Sequence, residues 1–134
     1  MGSMRLRPHH LLCLQGFSGH GYDPAFTANL GVLARAVAAD PSEPVTLVEG
    51  LDDVCAACPH AQHGACASPE GGEASAREHD AVVLAALGLR AGDVTSFADV
   101  RRRLASTADA RSALWLRCQS CRWLAVCSFP VGSR

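Results

Sequence analysis

The apolar residues along most of this chain recur at the spacing of an amphipathic helix. The clearest case follows Asp23-Pro24, where four apolar residues repeat every three or four positions: Phe26, Leu30, Leu33 and Val37. Asp23 is a good capping residue and Pro24 suits a first turn, so these two residues mark the start of the helix. The pattern therefore predicts a helix that buries one face and ends before Asp40-Pro41.

Similar spacing predicts four further helices, three of them with a start or stop residue of their own. They are Pro8 to about Gln15, followed by Gly16; a helix opened by the capping-box pair Ser75 and Glu78 and ended by Gly88; a helix capped by Ser96 that buries Phe97, Val100 and Leu104; and about Ala110 to Arg117. Helices thus account for most of the predicted regular structure.

One segment alternates as a strand does. Residues 45–48 are β-branched or apolar and lie between Pro44 and Gly50, which predicts a short strand whose partner we expect around Val94-Thr95. The fold class expected is mainly α with a small β element (α+β), in one compact domain over residues 4–134. We expect residues 1–3 to be a cloning remnant.

Composition narrows the functional classes. The chain has 134 residues and a formal net charge of -1, which provides no general attraction for nucleic acid or an anionic membrane. Arg101-Arg102-Arg103 is expected to form a solvated helix face. We find no apolar run of about 20 residues and no signal-peptide pattern, so a cytoplasmic protein without nucleic-acid or membrane partners is expected.

Cysteine is the unusual component, with seven residues in this short chain. Six of them form two triplets, and the seventh lies on the predicted first helix: Cys55, Cys58 and Cys66 (C-x2-C-x7-C), Cys118, Cys121 and Cys127 (C-x2-C-x5-C), and Cys13. The first triplet lies in a stretch, Leu51 to Gly72, that has no apolar periodicity. In a reducing cytosol such groups are typical of metal ligands, and we expect the cysteine-rich loops to be ordered by metal.

The residues alone leave the metal open between an iron–sulfur cluster and zinc. Thiolates suit both. Zinc ribbons usually pair their knuckles about 15–20 residues apart, whereas 51 residues separate Cys66 from Cys118, so a simple ribbon is disfavoured. A [4Fe–4S] cluster can take three thiolates from one group and a fourth ligand from elsewhere in the chain.

Two four-ligand sites need eight ligands, and seven cysteines leave one position open. Cys13 can complete one triplet, and His9 or His10 on the same helix can complete the other. An open iron would instead bind a substrate, with His9 and His10 as candidate catalytic residues; a structural role for either histidine is equally compatible with the sequence. His60 and His63 lie inside the first cysteine loop, and His20 and His79 are expected to be structural.

Three other sites are weaker interpretations. A thioredoxin-like site would need a helix after Cys58, which the sequence does not predict. A nucleophilic Cys13 lacks any signature beyond its spacing from His9 and His10. Disulfides would require a secreted protein.

Several motifs in this order resemble domain-of-unknown-function family 1284 (DUF1284), a family of small bacterial and archaeal proteins described as cysteine-rich or iron–sulfur-binding. The resemblance runs from about Leu6 to Cys127. It is carried by Arg7-Pro8-His9-His10-Leu11-Leu12-Cys13-Leu14-Gln15-Gly16-Phe17, Gly19-His20-Gly21-Tyr22, Asp52-Asp53-Val54-Cys55, Cys58-Pro59 and Cys118-x2-Cys121-Arg122-Trp123 with Cys127. Arg122 stands where members often carry an acidic residue. The resemblance implies iron–sulfur binding but supplies no reaction.

We therefore expect a bacterial protein that binds one or two [4Fe–4S] clusters. The expected ligands are Cys13, Cys55, Cys58 and Cys66 in one set and Cys118, Cys121 and Cys127 in the other, with His10 as a further candidate. The function would be electron transfer or redox sensing, or enzymatic sulfur or small-molecule chemistry at an open iron. The alternative is a zinc-binding structural or interaction module with three or four cysteines per site.

Overall fold

The structure is a computed structural model that describes residues 4–69, 71–106 and 108–118. Five helices, five short strands and one 3-10 helix follow one another in this part of the chain. They are β1 (Met4–Leu6), α1 (His10–Cys13), α2 (Pro24–Ala39), β2 (Val45–Leu47), the 3-10 helix (Val54–Ala57), β3 (Ala61–Gln62), β4 (Ala65–Cys66), α3 (Gly72–Leu87), β5 (Val94–Thr95), α4 (Phe97–Ala105) and α5 (Ala108–Cys118). The α+β class expected from the sequence is confirmed.

Three of the strands form one small sheet in the order β1-β2-β5. β2 pairs antiparallel with β5, Val45 opposite Thr95, which confirms both the predicted strand and its predicted partner. β1 pairs parallel with the other side of β2, Leu6 opposite Leu47, and was not predicted. Through this pairing the N-terminal segment lies in the core. The residues that directly follow Leu6 therefore come into contact with the other elements of the fold.

The start and the end of α2 follow from its capping residues. The Asp23 carboxylate accepts a hydrogen bond from the backbone N–H of Phe26 at 2.8 Å, and Pro24 occupies the first turn, as predicted. Phe26, Leu30 and Val37 are buried. The helix ends at Ala39.

The predicted start of α3 was wrong. The helix begins at Gly72, and Ser75, expected as its capping residue, lies inside the first turn. The N-terminal cap is Gly71 with φ of 109°, a conformation that glycine adopts without the strain other residues incur. This helix start has no side-chain cap hydrogen bond. The helix ends at Gly88, with φ of 70°, as predicted.

Two further helices follow the sequence pattern. The Ser96 hydroxyl accepts the backbone N–H of Asp99 at 3.1 Å and caps α4, which buries Phe97, Val100 and Leu104. α5 covers the segment predicted as the last helix and packs chiefly against α3. The first helix is shorter than predicted, because regular α-helix is confined to His10–Cys13, with turns on both sides.

One hydrophobic core joins the sheet to α1, α2, α3, α4 and α5. Its most deeply buried apolar side chains come from most of these elements: Leu6, Leu11, Val45, Leu47, Val83, Phe97, Val100 and Leu114. Arg7 is buried to the same degree, with 1% of its surface exposed, although it carries a charge. In the part of the chain described, no helix is long and apolar enough to cross a membrane.

Candidate metal centre

The segment between Leu51 and Gly72 contains the first cysteine triplet and little core. Asp52 and Val54 are its buried residues among those described, and the rest are partly or fully exposed. Its regular structure is one turn of 3-10 helix and the two-residue strands β3 and β4. The sequence prediction of a loop without a core of its own agrees with this arrangement, apart from these short elements.

The 3-10 helix places Cys55 and Cys58 one turn apart. Oδ1 of Asp52 accepts the backbone N–H groups of Val54 at 3.0 Å and Cys55 at 3.2 Å, and so holds the start of the turn. The backbone N–H of Cys58 donates to the carbonyl of Cys55 at 3.0 Å and closes it. Such a turn is the geometry in which a C-x2-C pair directs both sulfurs to one centre.

A β-hairpin brings Cys66 back beside Cys58. β3 and β4 pair antiparallel with Ala61 opposite Cys66, and the backbone N–H of Ala61 donates to the Cys58 carbonyl at 3.2 Å. The backbone N–H of His60 lies 3.4 Å from the Sγ of Cys58, to which it donates. Burial, together with the nearby Cys66, raises the pKa of the Cys58 thiol. Seven residues separate Cys58 from Cys66 in the sequence, but the hairpin places the two residues next to each other.

His10 joins this group from α1. Its Nδ1 lies 2.7 Å from Oδ2 of Asp52, whose side chain is completely buried. The same oxygen accepts the backbone N–H of Arg7 at 2.6 Å. His10, Asp52 and Cys55 each place a ligand atom within 4.8 Å of the other two. The fold therefore brings a nitrogen, an oxygen and a sulfur donor together from segments 42 residues apart.

The two ionisable groups beside His10 shift in opposite directions. Burial alone would raise the pKa of Asp52, but the interactions with His10 and the hydrogen bonds from Arg7 and Cys55 keep that pKa below its ordinary value. Burial and the Asp52 charge raise the pKa of the Cys55 thiol to about 12. Cys55 is thus protonated when no cation is bound, and metal binding would have to displace its proton.

A second histidine–carboxylate pair lies next to the first. Nδ1 of His9 is 2.6 Å from Oδ1 of Asp80, and the His9 backbone N–H donates to the same oxygen at 3.1 Å. The His9 ring stacks on that of His79, with centroids 4.7 Å apart. Burial and the neighbouring His10 lower the pKa of His9 to about 4, so His9 is neutral near pH 7. For Asp80, burial alone would raise the pKa, but His9 and Arg7 lower it to about 2.

Arg7 links these pairs to the cysteine loop. Its Nε donates to Asp80 at 2.9 Å, and its two terminal nitrogens donate to Glu73 at 3.3 and 2.8 Å. Glu73 also accepts the backbone N–H of Cys66 at 2.8 Å. Two carboxylates, those of Glu73 and Asp80, therefore bind the guanidinium, while Asp52 accepts the backbone N–H of Arg7.

The predicted site residues have different outcomes. The structure places Cys55 with His10 and Asp52, their ligand atoms within 4.8 Å of one another. Cys58 and Cys66 lie outside that group, but Cys58 caps the 3-10 turn that begins near Cys55, and the hairpin places Cys66 beside Cys58. Cys13 is half-buried one turn beyond His10. Cys118 is the last residue of α5, and the predicted ligands Cys121 and Cys127 lie outside the described residues, so the second triplet stays a prediction.

The remaining histidines have other ring contacts, although the His9 ring lies 4.3 Å from that of His10. His9 faces Asp80, and the His60 ring lies edge-on to Tyr22 at 4.5 Å. His63 and His20 are exposed. His79, expected to be structural, stacks on His9.

The sequence interpretation missed the charged residues that hold the histidines. The sequence did contain an indication for Asp80, because Asp80, Val83 and Leu87 share the buried face of α3. A carboxylate on an apolar helix face needs a charged or hydrogen-bonding partner. Glu73 lies two turns earlier on the same helix. Nothing in the sequence indicated that Arg7, 73 residues from Asp80, is that partner.

Comparison with known proteins gives one family and no individual relative. A family model described as a protein of unknown function (DUF1284) matches residues 21–127. No curated protein and no solved structure matches the chain. The matched residues include both cysteine triplets, α3 and the acidic residues, while His10 and Cys13 precede them.

Proposed function

Since this chain belongs to the DUF1284 family, we propose that it is an iron–sulfur protein whose [4Fe–4S] cluster is held by the cysteines of the 3-10 helix and the β3–β4 hairpin. The observation that carries the proposal is the return of Cys66 to Cys58 by the hairpin, with a backbone N–H directed at the Cys58 sulfur. Such N–H donors stabilise thiolate charge and are a usual feature around clusters.

The chemistry of the donors fits an iron–sulfur cluster. Cys55, Cys58 and Cys66 are free thiols on a segment with little buried apolar surface. Of the three, Cys58 packs against the hydrophobic core, so packing does not account for all of them. Thiolates are soft ligands that bind iron–sulfur clusters and zinc in preference to magnesium or calcium. A reducing cytosol, the compartment we propose, would keep these thiols available.

The other cysteines belong to the proposal as candidates. Cys13 is one helical turn from His10 and remains a possible fourth ligand of the first set. Cys118, Cys121 and Cys127 would form a second set, for one further cluster. An iron–sulfur cluster supplies electron transfer when every iron is ligated by protein, or Lewis-acid chemistry when one iron is open.

The decisive experiment measures metal and sulfide in the protein. We expect anaerobically purified and reconstituted protein to contain iron and acid-labile sulfide in nearly equal amounts, with the absorption of a [4Fe–4S] cluster. Replacing Cys58 or Cys66 with serine should reduce both contents severely. Ala56→Ser, an exposed change in the same 3-10 turn, is the matched control and should leave them unaltered. Zinc without sulfide in the wild-type protein would overturn the proposal.

The second candidate function is a zinc-stabilised interaction module. It is favoured by the closeness of His10 to Cys55, because zinc commonly takes imidazole and thiolate together. This protein would be colourless and redox-silent, and zinc would bind at a fixed ratio to the chain. Metal analysis therefore separates the two candidates directly.

Two activities of an iron–sulfur form are also separable. An electron-transfer or sensing protein should be reduced and reoxidised reversibly without any substrate. An enzyme with an open iron should change its electron paramagnetic resonance spectrum when a small anionic ligand such as cyanide is added. In the enzyme, His9 is a candidate proton acceptor, since its Nδ1 is held by Asp80.

A further inference from the structure

We infer that His10 is the fourth protein ligand of this centre, completing a set of three cysteines and one histidine with Cys55, Cys58 and Cys66, and that buried Asp52 is the residue that orients it. The inference rests on the proposed function and goes beyond it, since it assigns the non-cysteine ligand and a positioning residue. Its first basis is distance, because ligand atoms of His10, Asp52 and Cys55 lie within 4.8 Å of one another.

Asp52 favours a form of the imidazole that can bind metal. With Oδ2 of an ionised Asp52 at 2.7 Å from Nδ1, the tautomer with the proton on Nδ1 is favoured, and it leaves the lone pair on Nε2. This carboxylate–histidine arrangement is the usual support of a metal-bound histidine. The Asp52 contact therefore favours a form of His10 that can bind a metal.

Asp52 is itself poorly suited to be the ligand. Its two oxygens accept three backbone N–H groups, from Arg7 at 2.6 Å, Val54 at 3.0 Å and Cys55 at 3.2 Å, in addition to the His10 ring. Coordinating a cation would break part of this network, which also holds the 3-10 turn. The arrangement therefore separates two roles, with Asp52 positioning and His10 binding.

Hydrogen bonds fix β1, which leads into α1, relative to the 3-10 turn. Besides the Asp52 contact, the backbone N–H of Arg5 donates to the Asp53 carboxylate at 2.8 Å, and the Asp53 N–H donates to the Arg5 carbonyl at 3.1 Å. Asn29 on α2 donates to the Asp53 carbonyl at 3.0 Å. These bonds hold His10 next to Cys55 before any metal binds, which lowers the cost of assembling the site.

Charge favours His10 over Cys13 as the fourth ligand. A thiolate would add a negative charge to a region that already has three carboxylates in contact with Arg7, whereas neutral imidazole adds none. His9 is the other nearby imidazole, but its Nδ1 is engaged by Asp80, and it does not share the group formed by His10 and Cys55. His60, on the hairpin side, is the competitor that the experiment must exclude.

The direct test is pulsed electron paramagnetic resonance on reconstituted, reduced full-length protein, with ¹⁵N-histidine labelling. We expect a strong histidine nitrogen coupling in the wild-type protein that disappears in His10→Ala and persists in His60→Ala. His63→Asn is the matched control, since His63 is an exposed loop residue with φ of 52° that asparagine tolerates. A cluster without such a coupling in the wild-type protein would overturn the inference and leave the proposed function standing.

Two further variants protect the test against misfolding of His10→Ala. His10→Cys should still bind the cluster, with a lower midpoint potential, because histidine ligation raises the potential relative to cysteine. Asp52→Asn can keep Oδ1 on Val54 and Cys55, and should weaken cluster binding roughly 10- to 100-fold through loss of the ring orientation. An unchanged midpoint potential in His10→Cys would assign the ligand elsewhere. The same conclusion would follow if Cys13→Ser lost the cluster while His10→Ala kept it. Absence of iron in every protein would instead refute the proposed function, and this inference with it.

Discussion

Replacing Arg7 with methionine removes the guanidinium that joins α3 to the N-terminal segment and keeps much of the side-chain volume. In the native protein Arg7 is 1% exposed and lies 2.8 Å from Glu73 and 2.9 Å from Asp80. At an effective dielectric constant of about 20, each contact is worth roughly 6 kcal/mol of Coulomb attraction, most of it offset by the cost of removing the charges from water. Because methionine leaves two carboxylates without their main partner, we expect a loss of about 3–5 kcal/mol.

The measurement is urea unfolding followed by circular dichroism, with every variant in the same metal state. Arg102→Met is the matched control, because Arg102 lies 2.8 Å from Asp99 but is 73% exposed. We expect this control to cost under about 1 kcal/mol. The expected loss for Arg7→Met is a large part of the total stability of a chain of this size, roughly 5–15 kcal/mol.

A combined variant separates the two parts of this reasoning. If unpaired carboxylates cause the loss, adding Glu73→Gln and Asp80→Asn to Arg7→Met should recover part of the stability. If Arg7→Met costs no more than Arg102→Met, the network contributes little and the argument from burial is wrong. A further loss in the combined variant would show that the carboxylates stabilise the fold through their other partners.

Three more results are expected, all measured by urea unfolding. Leu114→Ala should cost about 2–5 kcal/mol, since this side chain is fully buried between helices, and a loss below 1 kcal/mol would contradict that packing. Gly88→Ala should destabilise the protein by about 1–2 kcal/mol because φ of Gly88 is 70°. Gly31→Ala, inside α2, should stabilise it by about 0.5–1 kcal/mol. Equal effects of the two changes would refute the argument from the positive φ. Hydrogen bonds, first from Arg103, lower the pKa of Asp99 to about 2, so its contribution is complete above the ordinary value of 3.8 and disappears as the pH falls towards 2. Asp99 is partly exposed, so Asp99→Asn should remove only about 1 kcal/mol of this acid dependence, and an unchanged pH profile would count against it.

Elements with a local cause were predictable from the sequence. α2 and α4 have their capping residues and apolar stripes in consecutive sequence, and the structure confirms both. The start of α3 was not predictable in the same way, because its cap depends on a positive φ at Gly71, which leaves no side-chain signature beyond glycine itself. β1 was missed since three residues are too short to show alternation.

The candidate site shows the same difference between local features and contacts distant in sequence. The C-x2-C spacing of Cys55 and Cys58 is a local feature, and in the structure the two residues lie on one 3-10 turn. The partner of His10 could not be derived, because Asp52 is 42 residues away and pairing over that distance depends on the whole topology. Sequence reasoning thus predicted candidate ligands, whereas the residues that surround them became visible only in the structure.

The contacts of Arg7 also affect how this protein is made. Its side chain and backbone bind Asp52, Glu73 and Asp80, which follow it by 45, 66 and 73 residues. Contacts of such long sequence separation form slowly, because a large loop must close before any of them is made. During synthesis the Arg7 side chain cannot form its ion pairs with Glu73 and Asp80 until α3 has been made. Until then the thiols of the cysteine loop lack part of the network around them, so we expect delivery of the proposed cluster to succeed only after α3 has folded.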